Sequence, residues 1–227
     1  MKRLLLILPL LLAACTPPRT PDPQPRVRVT ATTTSERLDL AVTLEGADGQ
    51  ALSGALAQVK DPGGALNLLP YASSKGAYVA TLPAVSGTYH VTVDSAAAGA
   101  LSADVPVTVL TRAPDLQDVQ DGNGQRIRNF ERVSAQTPIR VTWTATPGAD
   151  RYLLEVRQLG RLVATVTTTD TSAVLPAGTL TGAALPGSPA SVTVTASAQQ
   201  GDPAYRSARY LSSSTLSAPS LGFQVVP

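Results

Sequence analysis

The chain has 227 residues, 18 Lys plus Arg against 16 Asp plus Glu, 43% hydrophobic and 4% aromatic residues, and one cysteine. Without Lys2 and Arg3 the balance is 16 against 16, so no global charge draws the protein to nucleic acid or to an anionic membrane face. A single thiol excludes an internal disulfide framework, and apolar content supplied mostly by Ala, Val and Leu points to a folded protein with thin cores.

Lys2 and Arg3 precede the apolar run Leu4 to Leu12, broken only by Pro9. Nine residues at about 1.5 Å each fall well short of a hydrocarbon core roughly 30 Å thick, so the run is no membrane span. A basic start and a short apolar core instead have the form of a secretory signal. The run ends in Leu12-Ala13-Ala14-Cys15. This stretch resembles the lipobox of bacterial lipoprotein signals, which reads Leu, a small residue, Ala or Gly, then Cys. The resemblance implies removal of residues 1–14, a diacylglyceryl thioether on Cys15 and acylation of the new amino terminus. Two or more acyl chains hold a protein firmly, at about 0.8 kcal/mol per buried methylene. The expected location is the cell envelope, facing away from the cytoplasm. Thr16 stands where lipoproteins retained at an inner membrane tend to carry Asp, which leans toward the outer membrane if the cell has one.

Residues 15–26 form the next segment, with Pro17, Pro18, Pro21, Pro23 and Pro25. Each proline fixes its own φ and holds its predecessor extended. The segment is either a semi-rigid stalk of about 3.1 Å per residue or a tether of no fixed reach, and both lie outside any core.

Residues 27–110 carry period-two alternation. Val27, Val29 and Ala31 make one strand, and Leu38, Leu40, Val42 and Leu44 the next. Gly46 to Gly49 supplies a turn. Ala55, Ala57 and Val59 form a strand that stops at Asp61-Pro62-Gly63-Gly64. Tyr78, Ala80 and Leu82 follow, then Tyr89, Val91 and Val93 after the Ser86-Gly87 turn. Val105, Val107 and Val109 make the last strand, and Pro106 confines it to an edge or a bulge. The glycine turns and aromatic strand starts in Leu52-Ser53-Gly54-Ala55, Gly76-Ala77-Tyr78 and Ser86-Gly87-Thr88-Tyr89 resemble bacterial Ig-like and carboxypeptidase-regulatory-like modules. The resemblance implies an antiparallel sandwich. The sole histidine, His90, is out of phase with Tyr89 and Val91 and so is expected in solvent.

Thr111 to Pro114 reads as a short linker, and residues 114–227 as a second sandwich. Ile139, Val141 and Trp143 alternate, then Tyr152, Leu154 and Val156 after the Pro147 to Asp150 loop. Leu162 to Thr168 reads as the return strand, Ala173 to Pro176 as a short strand, Val192, Val194 and Ala196 as a strong one, and Leu221 to Val226 as the last. Ile139, Val141, Trp143, Ala149, Tyr152, Leu175-Pro176, Val192, Val194 and Ala196 resemble a fibronectin type III domain. The resemblance implies Trp143 at the centre of a core. It also asks for a corner tyrosine where Ala190 stands, so the corner hydrogen bond must be absent or replaced. Gln199 to Ser220 reads as a long final connection. Its Tyr205, Arg206, Arg209 and Tyr210 form a candidate contact loop, since Tyr with Arg is a common interface pairing.

The Asp121-Gly122-Asn123-Gly124 stretch reads as a turn, because an EF-hand loop would need Glu where Arg132 stands. Arg126 and Arg128 are expected on one strand face. No nucleophile elbow, phosphate loop, metal motif or dinucleotide fingerprint occurs. No catalytic residue, metal ligand or cofactor is therefore assigned, apart from the covalent lipid on Cys15. The fold class expected is all-β, with two antiparallel sandwiches behind a signal and a stalk. The expected function is non-catalytic: a membrane-anchored lipoprotein whose two modules contact an envelope protein or glycan. The alternatives are an accessory subunit or hydrolase, with acidic groups such as Asp150 and Asp202 converging in a pocket, and a small-ligand carrier.

Overall fold

The computed structural model describes residues 24–34, 36–181, 187–206 and 208–227. Those residues form an all-β protein of seventeen strands with no helix among them. The strands are β1 (Arg26–Thr33), β2 (Arg37–Glu45), β3 (Leu56–Lys60), β4 (Leu66–Leu69), β5 (Tyr71–Ala72), β6 (Ala77–Pro83), β7 (Gly87–Ser95) and β8 (Gly99–Val107), followed by β9 (Leu116–Asp121), β10 (Arg132–Ser134), β11 (Ile139–Trp143), β12 (Arg151–Gln158), β13 (Arg161–Thr168), β14 (Ser172–Leu175), β15 (Ser188–Gly201), β16 (Tyr210–Ser217) and β17 (Leu221–Val226).

Two sandwiches result. In the first, β1-β2-β6-β5 faces β4-β3-β7-β8. Period-two alternation turns one apolar row of each strand inward, among them Val29, Leu40, Val59, Val91 and Val105. Edge strand β8 carries Pro106, whose missing donor suits an edge. The first strand takes in Arg26, which the sequence places in the stalk. In the second sandwich, β9-β11-β14 faces a sheet in which β13, β12, β15, β17 and β10 are neighbours. Trp143 packs in its core at 5.5 Å from the Tyr152 ring, with Leu154, Val156, Val192 and Val194.

The two cores meet at consecutive residues. Val109 packs in the first and Leu110 in the second, so the chain passes from core to core before the segment read as a linker. Pro114, at the end of that segment, is itself buried.

A further connection is the final hairpin. Strand β15 runs for 14 residues. Its first part pairs with β17 inside the second sandwich, and its later part, Thr195 to Gly201, pairs with β16. The other edge of β16 pairs in parallel with β1, from Val29 opposite Tyr210 to Thr33 opposite Ser214. One ten-stranded sheet therefore runs through both sandwiches.

Candidate functional site

The segment from Gln199 to Ser220 is not the long loop its sequence suggests. Strands β15 and β16 take in most of it and leave residues 202–209 as the tip. The period-two signal fails here because the buried row of β16 is serine. Ser212 and Ser214 are 3% and 1% exposed. Their hydroxyls are spent on backbone: Ser212 Oγ donates to Pro106 O at 2.6 Å, and Leu110 N donates to Ser214 Oγ at 3.1 Å. Gln200 Nε2 donates to Thr108 Oγ1 at 2.8 Å. Each bond ties the hairpin to the passage between the cores, where an unpaired polar group would be costly.

Gly201 closes the hairpin at φ +95°. A Cβ there would collide with the Tyr210 carbonyl oxygen, so only glycine fits. Asp202 builds the tip by accepting from Ala204 N at 2.8 Å and Arg206 N at 2.6 Å. The tip folds back onto β1. Val29 N donates to Arg209 O at 2.9 Å, the Tyr205 and Thr30 hydroxyls are 2.7 Å apart, and the Arg28 guanidinium lies 5.5 Å from the centre of the Tyr205 ring. Tyr205 takes a left-handed φ of 52° to make these contacts, a conformation that costs a non-glycine residue about 1 kcal/mol. Tyr210 packs against the first core. Of the candidate contact loop, then, Tyr205 and Tyr210 lie against the first sandwich, while Arg206 and Arg209 are exposed.

Those two arginines join Arg26 and Arg28 of β1 around a cleft of about 520 Å³ that Gln24 and Tyr205 also line. Two carboxylates stand among them: Glu45, 2.9 Å from Arg28, and Asp202, which holds the tip amides. A second concavity, of about 660 Å³, crosses the outer face of the first sandwich and is lined by Thr30, Thr32, Arg37, Asp39, Lys75 and Thr81 among others. Within it Asp39 accepts from Thr81 Oγ1 at 2.7 Å and from Arg37 at 3.2 Å. The Thr81 hydroxyl first, and the Arg37 guanidinium after it, hold the Asp39 carboxyl below its ordinary range.

The remaining sequence candidates are dispersed. Leu12, Ala13, Ala14 and Cys15 lie outside the described residues. His90 is half-exposed, and the β7–β8 register brings its Nδ1 to 2.6 Å from Asp104 Oδ1, a carboxylate distant in sequence. No group of three or more His, Cys, Asp or Glu able to hold a metal occurs among the described residues. Asp150 accepts from Gln199 N at 2.9 Å and pairs with Arg151, while Asp202 serves the hairpin tip; the two carboxylates line no common cleft among those described. Asp121 makes the expected turn, its Oδ1 accepting from Asn123 N and Gln125 N at 2.9 Å each.

Arg126 and Arg128 do not share a strand face. Arg126 forms a single bridge with Gln120 and pairs with Asp118 at 3.3 Å, whereas Arg128 N donates to Glu131 in a following turn. The Asp121 and Glu131 side chains satisfy backbone amides locally, and that favours turns over an extended ladder.

No tyrosine occupies the corner at Ala190. Buried Gln158 replaces it, donating from Nε2 to Thr181 O at 2.7 Å and accepting from Thr181 N at 3.2 Å. A corner tyrosine does exist in the first sandwich, where the sequence pattern had not pointed to one. The Tyr89 hydroxyl accepts from Val85 N at 3.2 Å and lies within 3.4 Å of the Pro83 and Val85 carbonyls. Tyr89 four residues after Val85, at the start of a period-two run, was the available signal.

No protein-family model matches the sequence, and no curated protein matches it. Among solved structures it is similar to a two-domain fibronectin type III segment of chicken tenascin, at 13% identity over 87% of this chain and 98% of that one, TM-score 0.31. It is also similar to the fibronectin(III)-like modules of Clostridium thermocellum CbhA, at 11% identity over 89% and 94%, TM-score 0.38. A chain of a cytokine receptor complex shares 13% identity over 86% and 94%, TM-score 0.41.

Proposed function

We propose that this chain is a non-catalytic envelope lipoprotein, held to a bilayer through Cys15, that presents two sandwich modules as one strut for contact with an envelope protein or glycan. The observation that carries the reading is the sheet shared by β16 and β1. Two modules joined only by a linker would swing independently. Backbone pairing, together with the Ser212, Ser214 and Gln200 bonds, fixes their relative placement instead, which suits a spacer that holds a binding face at a set distance. The contact face in this reading is the trough of Thr30, Thr32, Arg37, Asp39, Lys75 and Thr81, where hydroxyls and charges stand side by side in the manner of a polar ligand surface. The N-terminal module is read as Ig-like and the stalk as its tether.

The test is metabolic labelling with a clickable fatty acid. Label on the parent chain and none on Cys15→Ser is expected; equal label on both would sink the anchored reading. Release of the Cys15→Ser chain from membranes into the soluble fraction is the companion result.

A further inference from the structure

The arginine cleft lies at a particular place along the molecule. Strand β16 runs from the tip toward the second sandwich, where Ser217 pairs with Thr195. Strand β1 runs beside it in the same direction, from Arg26 to Thr33. Gln24, Arg26 and the hairpin tip therefore share the end of the first sandwich remote from the second. That end is also where the chain enters. Nine residue steps lead from Cys15 to Gln24, and even a fully extended chain spans no more than about 32 Å over them. If Cys15 is acylated, the cleft is tethered close above the lipid.

Four arginines, Arg26, Arg28, Arg206 and Arg209, meet two carboxylates there, Glu45 and Asp202. Arg28 is engaged by Glu45 and Tyr205, while Arg26, Arg206 and Arg209 are exposed. The near-neutral balance of the chain as a whole does not cancel this local excess, because salt screens charges more than about a Debye length away. A guanidinium is a planar fork that matches phosphate oxygens in pairs. The arginines come from two segments about 180 residues apart, and only the pairing of β1 with β16 brings them together.

We propose that this cleft binds the phosphate headgroups of the anionic lipid surface to which Cys15 tethers the chain, and so seats the strut upright on the membrane. This inference rests on the anchored reading for its ligand. Arg26, Arg206 and Arg209 supply the attraction; Arg28 and Tyr205 hold the tip in place.

The acylated chain is placed in nanodiscs of phosphatidylglycerol or of phosphatidylcholine, and amide hydrogen exchange is read at residues 26–28 and 204–209. Three arginines near an anionic surface favour docking by on the order of a hundredfold at low salt. Slower exchange on phosphatidylglycerol alone is expected, lost in the triple variant R26Q/R206Q/R209Q and kept in large part in R26K/R206K/R209K. Equal exchange on the two lipids would overturn the proposal. Equal protection of the cleft by inorganic phosphate over phosphatidylcholine would overturn it too, by showing a free-ion site. Exchange at Val91 to Val93 in the first core shows that the variants remain folded. Failure of the anchored reading appears separately, as a mass spectrum with no acyl group on Cys15. The same chain mixed with phosphatidylglycerol vesicles then tests the cleft by the same exchange, and absence of protection there would still overturn it.

Discussion

The two sandwiches solve one structural problem with different chemistry. Each must pin the chain where it crosses from one sheet to the other. The first does so with a phenol: Tyr89 is wholly buried, and its hydroxyl reaches the backbone of Val85 and Pro83. The second uses an amide, with Gln158 bonding both backbone groups of Thr181. The phenol fills core volume and makes its hydrogen bonds at the rim of that core. The amide makes two oriented bonds but adds little apolar area. Loss of the first residue should thus cost packing and hydrogen bonding together, and loss of the second chiefly hydrogen bonding.

Tyr89→Ala sets the upper end of that contrast, with an expected loss of about 4 kcal/mol from cavity formation and the broken corner. Urea unfolding followed by exchange at Val91 to Val93 measures it, and a loss near ~1 kcal/mol would mean that the site collapses freely. Gly201→Val should cost about 3 kcal/mol through its left-handed φ and the collision with Tyr210 O. Its more telling effect is on cooperativity. Trp143, the sole tryptophan, reports only the second core, so its fluorescence transition should part from the first core's exchange transition. Coincident transitions would show that the hairpin does not couple the sandwiches. Gln158→Ala should cost about 1–2 kcal/mol, confined to the second sandwich, by leaving Thr181 unpaired. Tyr205→Phe removes one half-exposed hydrogen bond at Thr30, and about 0.5 kcal/mol is expected from the thermal midpoint.

The smallest difference concerns alkaline pH. Burial pushes the Tyr89 phenol above its ordinary value, with the Asp61 charge adding to the rise and the Val85 backbone bond opposing it. A raised pKa means that the folded state disfavours the phenolate. Its contribution is whole below the unfolded value, about pH 10, and is lost as pH rises through the higher folded value. The first sandwich should weaken above about pH 10 and Tyr89→Phe should remove that component, as exchange at Val91 to Val93 across the range would reveal.

Much of this fold was legible in the residues because a half-buried strand writes its burial as alternation. Leu38 to Leu44, Tyr89 to Val93, Ile139 to Trp143 and Tyr152 to Val156 were read from that pattern, and each is a strand with the expected row inward. Short strands left too few residues to show a period, as with β5 and β10. Strand β16 was missed for a different reason, since its inward positions are hydroxyls that pair with backbone rather than apolar groups that pack. The Arg26 and Arg28 half of the cleft was assigned to the stalk and to an ordinary strand, and nothing in either segment points to its counterpart.

The sequence by itself determined the class of the protein, the row of each long strand that faces inward, and the central place of Trp143. These follow from hydrophobic patterning, which acts over neighbouring residues. Tertiary structure alone decided that the last hairpin leaves its own sandwich to pair with β1, and that arginines from opposite ends of the chain meet. Backbone hydrogen bonds made that choice, and every residue but proline offers the same donor and acceptor, so side-chain order carries almost no record of which strand will become whose neighbour.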